Sequence, residues 1–467
     1  MTVSDQKWIQ EELSTVDLGD QRLNKRMGLV LDELSQHPEA SVCAATSGNN
    51  EMVGAYRFFN HPDIDGWQVL APHREATLQR MQQQSRVLLI QDTTQLDFSG
   101  REPIKGAGYL DGEFSQGFFL HPLLAVTEQR LCLGTVWGKI YARPERGVSG
   151  TRRRRAIADK ESVRWLEGYQ QACAVARQLP RTQIICVQDA ESDIYEVVAA
   201  AESAAAPGAV RAEYVIRAAQ DRRTVSAEGK LWAELAASPV LGERSFDLPG
   251  RPGRPARKVT LDLHAKAVTL RQPRHLSREQ GLPELKLWAV LARETEPPAG
   301  AEAVEWLLLT SLPVASLAAA LEVLHWYACR WEIEIFFKVF KAGCRVERLQ
   351  FIEDTRLRPA FALYLIVAWR ILYLTRLGRA TPPLSCTAVL EESEWKSVWA
   401  VTQRTPVPAT PPLLPEMIRL IARLGGYKGR KGDGDPGPQA MWKGLVRVFD
   451  LALGWNTFGP GATHAYG

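Results

Sequence analysis

The sequence has no CxxC pair. Its seven cysteines, an odd number in 467 residues, are scattered along the chain. That distribution points to reduced thiols in a cytosol and argues against a disulfide framework or a structural zinc site. No N-terminal signal segment is visible, since "MTVSDQKWIQEELSTVDLGD" is polar throughout. The most apolar helix candidate, "FALYLIVAWRILYL" (361–374), is interrupted by Arg370. It is too short to span a bilayer and reads as a buried helix. Internal repeats are absent. An excess of one charge is also lacking. The net charge is only +4, so bulk composition does not announce a nucleic-acid partner, although local basic patches can still bind phosphate. What is present is a globular composition, 24% charged and 45% hydrophobic, long enough for two or three domains.

Residues 1–70 read as helical. "GDQRLNKRMGLVLDEL" carries Leu23, Met27, Leu31 and Leu34 as an apolar stripe, with Arg22, Lys25 and Arg26 off it on a solvated face. "RVLLIQDTTQLDF" then begins as a continuous apolar run and stops at Asp92, as a fully buried strand would. "GFFLHPLLAVTE" and "LCLGTVWGKIYAR" read as two strands joined by a polar turn at Gln129 and Arg130. "KESVRWLEGYQQACAVARQL" is a helix with Val163, Leu166, Tyr169 and Cys173 in period. "TQIICVQDAESDIYEVVAA" is an apolar strand ending at Asp189, followed by a helix. Together these pieces form an α/β layer. Residues 210–312 are mostly strand-like, broken by "DLPGRPGRPAR" and "ETEPPAGAE". After Leu377 prolines mark connectors. A short helix stops at Gly425–Gly426, a basic glycine-rich loop comes next (427–435), and "QAMWKGLVRVFDLALGW" closes as an amphipathic helix through Trp442, Leu445, Phe449 and Leu453.

The segment "HWYACRWEIEIFFKVFKAG" (325–343) holds two series at helical spacing. Trp326, Cys329, Ile333, Phe336 and Phe340 form an apolar stripe that packs inward. Tyr327, Arg330, Glu334, Lys338 and Lys341 form a polar one. Glu332 points off the polar stripe and is expected to tolerate replacement. Asp92 and Asp189 each follow a buried strand, at the rim where side chains of an open α/β sheet meet. Taken singly, each aspartate reads first as a turn residue or helix cap, and Glu191 and Asp193 are competitors beside Asp189; it is the glutamate on the polar stripe of 325–343 that tips the balance. Three carboxylates brought together need a cation to neutralise them. Oxygen-only ligands suit Mg²⁺ or Mn²⁺ rather than Zn²⁺, and such ions serve phosphoryl transfer.

Tyr327, Arg330, Glu334 and Lys341 also carry the Y-(2)-R-(3)-E-(6)-K spacing. The chain here resembles the IS4 family of bacterial DDE transposases, with its YREK signature, and within it the Tn5-like branch. "IQDTTQL", "QDAESDIYE", "LGDQRLNKR", "GAYRFF" and "IARLGG" resemble further patches of that branch in collinear order. The resemblance implies an α/β, RNase H-like catalytic core with a mostly β insertion at about 210–312, flanked by helical N- and C-terminal domains. The boundaries expected are 1–70 for end binding, 71–375 for the core and 376–467 for dimerisation and DNA contact. It implies Asp92, Asp189 and Glu334 as ligands of Mg²⁺ (Mn²⁺ substituting), with two ions per site. Tyr327, Arg330, Lys338 and Lys341 would hold DNA phosphates. Trp306 would stack on a flipped base, its alternative being a core strand residue. Arg217 would lie near the DNA end, its alternative being a solvated or salt-bridged side chain.

The function implied is cut-and-paste transposition of an insertion element: nicking, hairpin formation and opening, then strand transfer. The partners implied are double-stranded DNA, as terminal inverted repeats and target, and a second copy of the chain in a synaptic homodimer. No membrane is involved. The setting is the bacterial cytoplasm, at the nucleoid when bound. Two rivals stand beside this reading. One is an RNase H-fold nuclease without strand transfer, and the other an inactive DNA-binding regulator of transposition. The basic loop 151–157, the stretch 247–258 and the loop 427–435 depart from the relatives' pattern.

Overall fold

The computed structural model describes residues 6–143, 157–203, 210–248, 250, 255–274 and 282–460. Most of the basic loop 151–157 lies outside the described residues, as do residues 249 and 251–254 of the 247–258 stretch.

The chain begins with helices α1 (Lys7–Glu12), α2 (Gln21–Gln36), α3 (Val42–Ala45), α4 (Asn49–Phe59) and α5 (Gly66–Gln82). Asp20 and Asp65 cap α2 and α5, their carboxylates accepting first-turn backbone N–H groups. In α2 the stripe Met27, Leu31 and Leu34 is buried while Arg22 and Lys25 are exposed, as its period demands.

The sheet comes next, with β1 (Arg86–Gln91), β2 (Thr94–Asp97), β3 (Gly108–Tyr109), β4 (Gln116–Val126) and β5 (Cys132–Tyr141). Every β4 residue from Gly117 to Val126 is buried, so both faces of this strand are covered. Helix α6 (Val163–Gln178) leads to β6 (Gln183–Gln188), a 3-10 turn (Ala190–Ser192) and α7 (Tyr195–Ser203). The buried face of α6 is Trp165, Tyr169, Ala172, Cys173 and Ala176, while Leu166 is only half-buried. This face is rotated from the expected stripe because Trp165 takes the inward position, edge-on to His121 in β4. Then come β7 (Glu213–Arg217), α8 (Leu231–Ala236), β8 (Val240–Leu248), β9 (Arg257–Leu270), β10 (Leu285–Glu294) and β11 (Glu305–Thr310).

All these strands join one sheet in the order β2-β4-β1-β6-β7-β11-β10-β9-β8, with β3 and β5 also paired to β4. Strands β1, β6 and β7 run parallel. The β-rich stretch after Asp189 therefore continues the central sheet through β7 and β11 rather than standing apart from it. Parallel neighbours end on the same side, and the register pairs Gln91 with Gln188. Asp92 and Asp189, one residue further on each strand, thus emerge side by side.

The segment 325–343 is not one helix. Helix α9 (Leu317–Ala328) and helix α10 (Trp331–Lys338) are separated at Cys329–Arg330, and Val339–Gly343 is a π-turn. Across the break the bonds tighten: Arg330 N–H donates to Tyr327 O, Glu332 N–H to Cys329 O and Ile333 N–H to Arg330 O, an i to i+3 pattern. Trp326, Cys329, Ile333, Phe336 and Phe340 are all buried, each large side chain contributing roughly 1.5–3 kcal/mol of burial. The turn between β4 and β5 seats this segment. Glu128 accepts from Trp326 Nε1 (2.7 Å) through its carboxylate, and its backbone carbonyl contacts His325 Nε2 (2.9 Å).

Helix α11 (Asp354–Ala380) is longer than the apolar stretch that marks it. By length and composition it could cross a membrane, yet 83% of its most apolar window is buried inside the protein. It packs on α5, β5 and the C-terminal helices α13 (Leu414–Leu424) and α14 (Pro438–Phe458), on which α12 (Glu392–Gln403) packs in turn. Helix α12 sits where the prolines indicate only connectors. Helices α13 and α14 cross closely: a Cβ at Gly425 would overlap the carbonyl of Ala440, and one at Gly444 that of Ile421. The α14 stripe buries Trp442 and Leu445 but leaves Leu453 69% exposed.

Candidate active site

Three carboxylates from three elements converge on one side chain. Arg330 Nη1 donates to Asp92 Oδ2 at 2.9 Å and lies 3.6 Å from Asp189 Oδ2. Its Nη2 donates to Glu334 Oε1 at 2.7 Å. Arg330 is only 4% exposed, and its Nε makes no hydrogen bond. The 3-10 break places Arg330 at the start of α10, one turn before Glu334, so that both reach the rim formed by β1 and β6.

The capping role of each aspartate is real and occupies only one oxygen. Thr93 N–H donates to Asp92 Oδ1 (2.7 Å), and Ala190 N–H to Asp189 Oδ1 (2.6 Å). The other oxygen of each faces the guanidinium. Burial pushes the Asp92 carboxyl up to about 6, against the pull of the Thr93 N–H and of Arg330. Burial also works against the charge on Arg330, but the surrounding carboxylates outweigh it and raise its pKa. One guanidinium against three carboxylates leaves two negative charges uncompensated, so the site retains a demand for cation.

The donor set fits a hard divalent ion: oxygen atoms only, already gathered around a positive charge. Among the described residues no cluster of three acidic, histidine or cysteine side chains is set at metal-ligand spacing. At the triad the guanidinium stands between the carboxylates.

Tyr327 closes one side. It is buried rather than displayed on a polar face, and its hydroxyl donates to Asp189 Oδ1 at 3.3 Å. Burial, then the Asp189 charge, pushes the phenol up to about 12. Trp306, half-buried in β11, meets the Tyr327 ring edge-on at 6.1 Å. Arg217, at the end of β7, stands near enough for its charge to act on the Tyr327 phenol. Lys338 is exposed one turn beyond Glu334. Lys341, on the π-turn, donates to the Gln95 carbonyl (2.7 Å) and pairs with Glu347 (3.0 Å). The two lysines are therefore not part of the cluster around the triad.

The competing carboxylates have other partners. Asp193 is buried and accepts from the Ala219 and Gln220 N–H groups and from Arg222, holding the loop after β7. Glu191 pairs with Arg164 at 2.8 Å. Glu332 overturns the expectation of tolerance: it is 0% exposed and takes both Arg376 Nε (3.0 Å) and Nη2 (2.8 Å) from α11. The break before α10 turns it inward, so it is a structural anchor.

Sequence reasoning missed a layer behind Asp92. His121 Nδ1 lies 2.8 Å from Thr93 Oγ1, and its Nε2 lies 2.9 Å from Gln91 Oε1. Arg164 Nε donates to the same Thr93 hydroxyl (2.8 Å). Burial pushes His121 well below its ordinary pKa, so it stays neutral. The available signal was a histidine inside the otherwise apolar "GFFLHPLLAV", since a polar ring in a strand covered on both faces must have partners.

Three family models match the chain: transposase DNA-binding over residues 5–64, transposase DDE domain over 154–369, and transposase Tn5 dimerisation domain over 366–456. Asp189 and Glu334 lie inside the DDE match. Asp92 lies before it and reaches the same site through the parallel pairing of β1 with β6.

Proposed function

The chain belongs to the Tn5-like transposases of the IS4 family, and from that premise we propose how its residues divide the work of moving a DNA element. It is a DNA transposase with an RNase H-like core, and it binds DNA and forms homodimers. Relatives of this kind generally use divalent metal ions. The division of labour we assign is residues 1–70 to the element's terminal repeats, 71–375 to chemistry, and 376–467 to pairing two copies. That pairing occurs in a synaptic complex at the nucleoid of a bacterial cytoplasm.

Asp92, Asp189 and Glu334 would hold Mg²⁺, for which Mn²⁺ can substitute. Two ions would supply charge neutralisation and Lewis acidity for in-line phosphoryl transfer. The observation that carries this assignment is the convergence of the three carboxylates on a single cationic group. Charge accounting supports the count. With Arg330 withdrawn to a flanking phosphate, two divalent ions balance the three carboxylates and the phosphate being cut.

The reaction order we propose is a nick by water, attack of the freed 3′-OH on the opposite strand to give a hairpin, hairpin opening, and attack of the same 3′-OH on target DNA. Every step is a phosphoryl transfer, so one triad serves all of them. Arg330, Tyr327, Lys338 and Lys341 would hold the flanking phosphates, by charge or by hydrogen bond. Trp306, beside Tyr327, would stack on a base turned out of the duplex as the strand bends. Arg217 would neutralise a phosphate at the same edge. Asp92→Asn, Asp189→Asn and Glu334→Gln are each expected to abolish cleavage of end-bearing DNA while binding in a gel-shift assay stays within about twofold. Normal cleavage by any one of them would remove that residue from the ligand set.

A further inference from the structure

Arg330 occupies the place where a cation is needed, and it does so with its head alone. The two Nη atoms contact all three carboxylates. The Nε has no hydrogen-bond partner, so the carboxylates are what hold the guanidinium in place. The rings of Trp331 and Tyr327 stand beside it, at 5.2 and 5.9 Å from the guanidinium carbon. Moving the head to another anion breaks no hydrogen bond at Nε, provided something else neutralises the carboxylates.

We propose that Arg330 is the resident cation of the DNA-free site, and that its transfer from the carboxylates to a DNA phosphate opens the triad to metal. The proposal rests on the reading of Asp92, Asp189 and Glu334 as metal ligands. It comes from charge and space together. A divalent ion and the guanidinium compete for the same oxygens, and two cations cannot share that point without repulsion. A phosphate near the rim gives Arg330 an alternative partner of matching geometry, since a guanidinium forks onto phosphate as it does onto carboxylate. Metal loading and end binding are then linked. Each must tighten the other by the same factor, because the coupling is a property of one equilibrium. A free protein would carry little metal at its nucleolytic centre, and a bound end would recruit it.

The test uses the full chain without DNA and titrates Mn²⁺, read by the loss of its free electron paramagnetic resonance signal. Wild type is expected to bind weakly. Arg330→Gln is expected to bind Mn²⁺ about tenfold more tightly, within the usual range of such couplings. Arg330→Lys, whose single ammonium cannot span three carboxylates, should fall between. In EDTA, Arg330→Gln should melt below wild type, and Mn²⁺ should restore more of its melting temperature than it adds to wild type. A duplex carrying the element's terminal repeat should tighten Mn²⁺ binding by wild type and leave the affinity of Arg330→Gln unchanged. If circular dichroism shows Arg330→Gln unfolded, Arg330→Lys carries the comparison alone. Unchanged Mn²⁺ affinity in the arginine variants, with binding still abolished by Asp92→Asn, would overturn the exchange while leaving the ligand set intact. Retention of Mn²⁺ binding by the double variant Arg330→Gln with Asp92→Asn would instead remove Asp92 from the ligands.

Discussion

Two glutamates stand two positions apart in α10 and meet opposite surroundings. Glu334 reaches the rim and the guanidinium, whereas Glu332 is sealed against Arg376. Replacing the buried Glu332 leaves the half-buried Arg376 without its counter-charge. Glu332→Gln is therefore expected to cost about 3 kcal/mol of stability, read by chemical denaturation, while cleavage per folded molecule stays near wild type. Loss of activity without loss of stability would place Glu332 in the chemistry instead. Behind the triad, His121 fixes the Thr93 hydroxyl, and Thr93 N–H fixes Asp92. Groups at that remove usually tune a site by roughly tenfold to a hundredfold. His121→Ala should slow single-turnover cleavage by that order at saturating DNA, leaving end affinity unchanged. The two aspartates were legible from sequence because each ends an apolar run. The partner of Glu332 was not, because Arg376 arrives from another helix and no local spacing announces it.

The elements explain why that register could not be read. An uninterrupted helix over 325–343 would keep all the polar positions on one stripe. The actual segment breaks at Cys329–Arg330 and ends in a π-turn, and each irregularity rotates the residues beyond it about the helix axis. The apolar series survived this because burial selects it: Ile333, Phe336 and Phe340 are fully covered. The polar series did not, since Tyr327 is buried and Lys341 is tied to Gln95 and Glu347. The continuous sheet was likewise hidden, because strand order is set by pairing between distant segments. Strand β11 brings Trp306 to the edge of Tyr327. Base stacking on an aromatic ring is worth about 1–3 kcal/mol, so Trp306→Ala should slow hairpin formation by roughly tenfold while the first nick proceeds, with Trp306→Phe retaining most of the rate. Equal loss of nicking and hairpin would assign Trp306 to packing.

Across the whole molecule, the N-terminal helices, the sheet and the C-terminal helices meet around α11. A cavity of about 430 Å³ opens where α1, α5, α11 and the start of α12 come together, lined by Trp8, Arg370 and Glu394 among others. Burial, opposed by the Glu391 N–H and by Arg370, pushes Glu394 up to about 7. The folded protein therefore holds this proton more tightly than the unfolded chain does. The stability that Glu394 contributes is fully present below its ordinary pKa of 4.5 and is lost as pH rises through about 7. Glu394→Gln should remove that dependence, raising the melting temperature at pH 8 relative to wild type more than at pH 5. At the far end, the exposed Leu453 continues a stripe whose first half is buried, within the match to the dimerisation model. The sequence shows the stripe, and only the fold shows where its cover runs out.

The central claim is that this chain cuts the ends of its own element and joins them to target DNA through the triad at Asp92, Asp189 and Glu334. The most direct measurement incubates the purified full chain with labelled duplex carrying the element's flanking ends and a target plasmid, with and without Mg²⁺, and resolves the products on a denaturing gel. The account predicts nicked, hairpin and joined species with Mg²⁺, and none of them in EDTA or from Glu334→Gln. Cleavage that never yields a joined product, or joined product from Glu334→Gln, would contradict it.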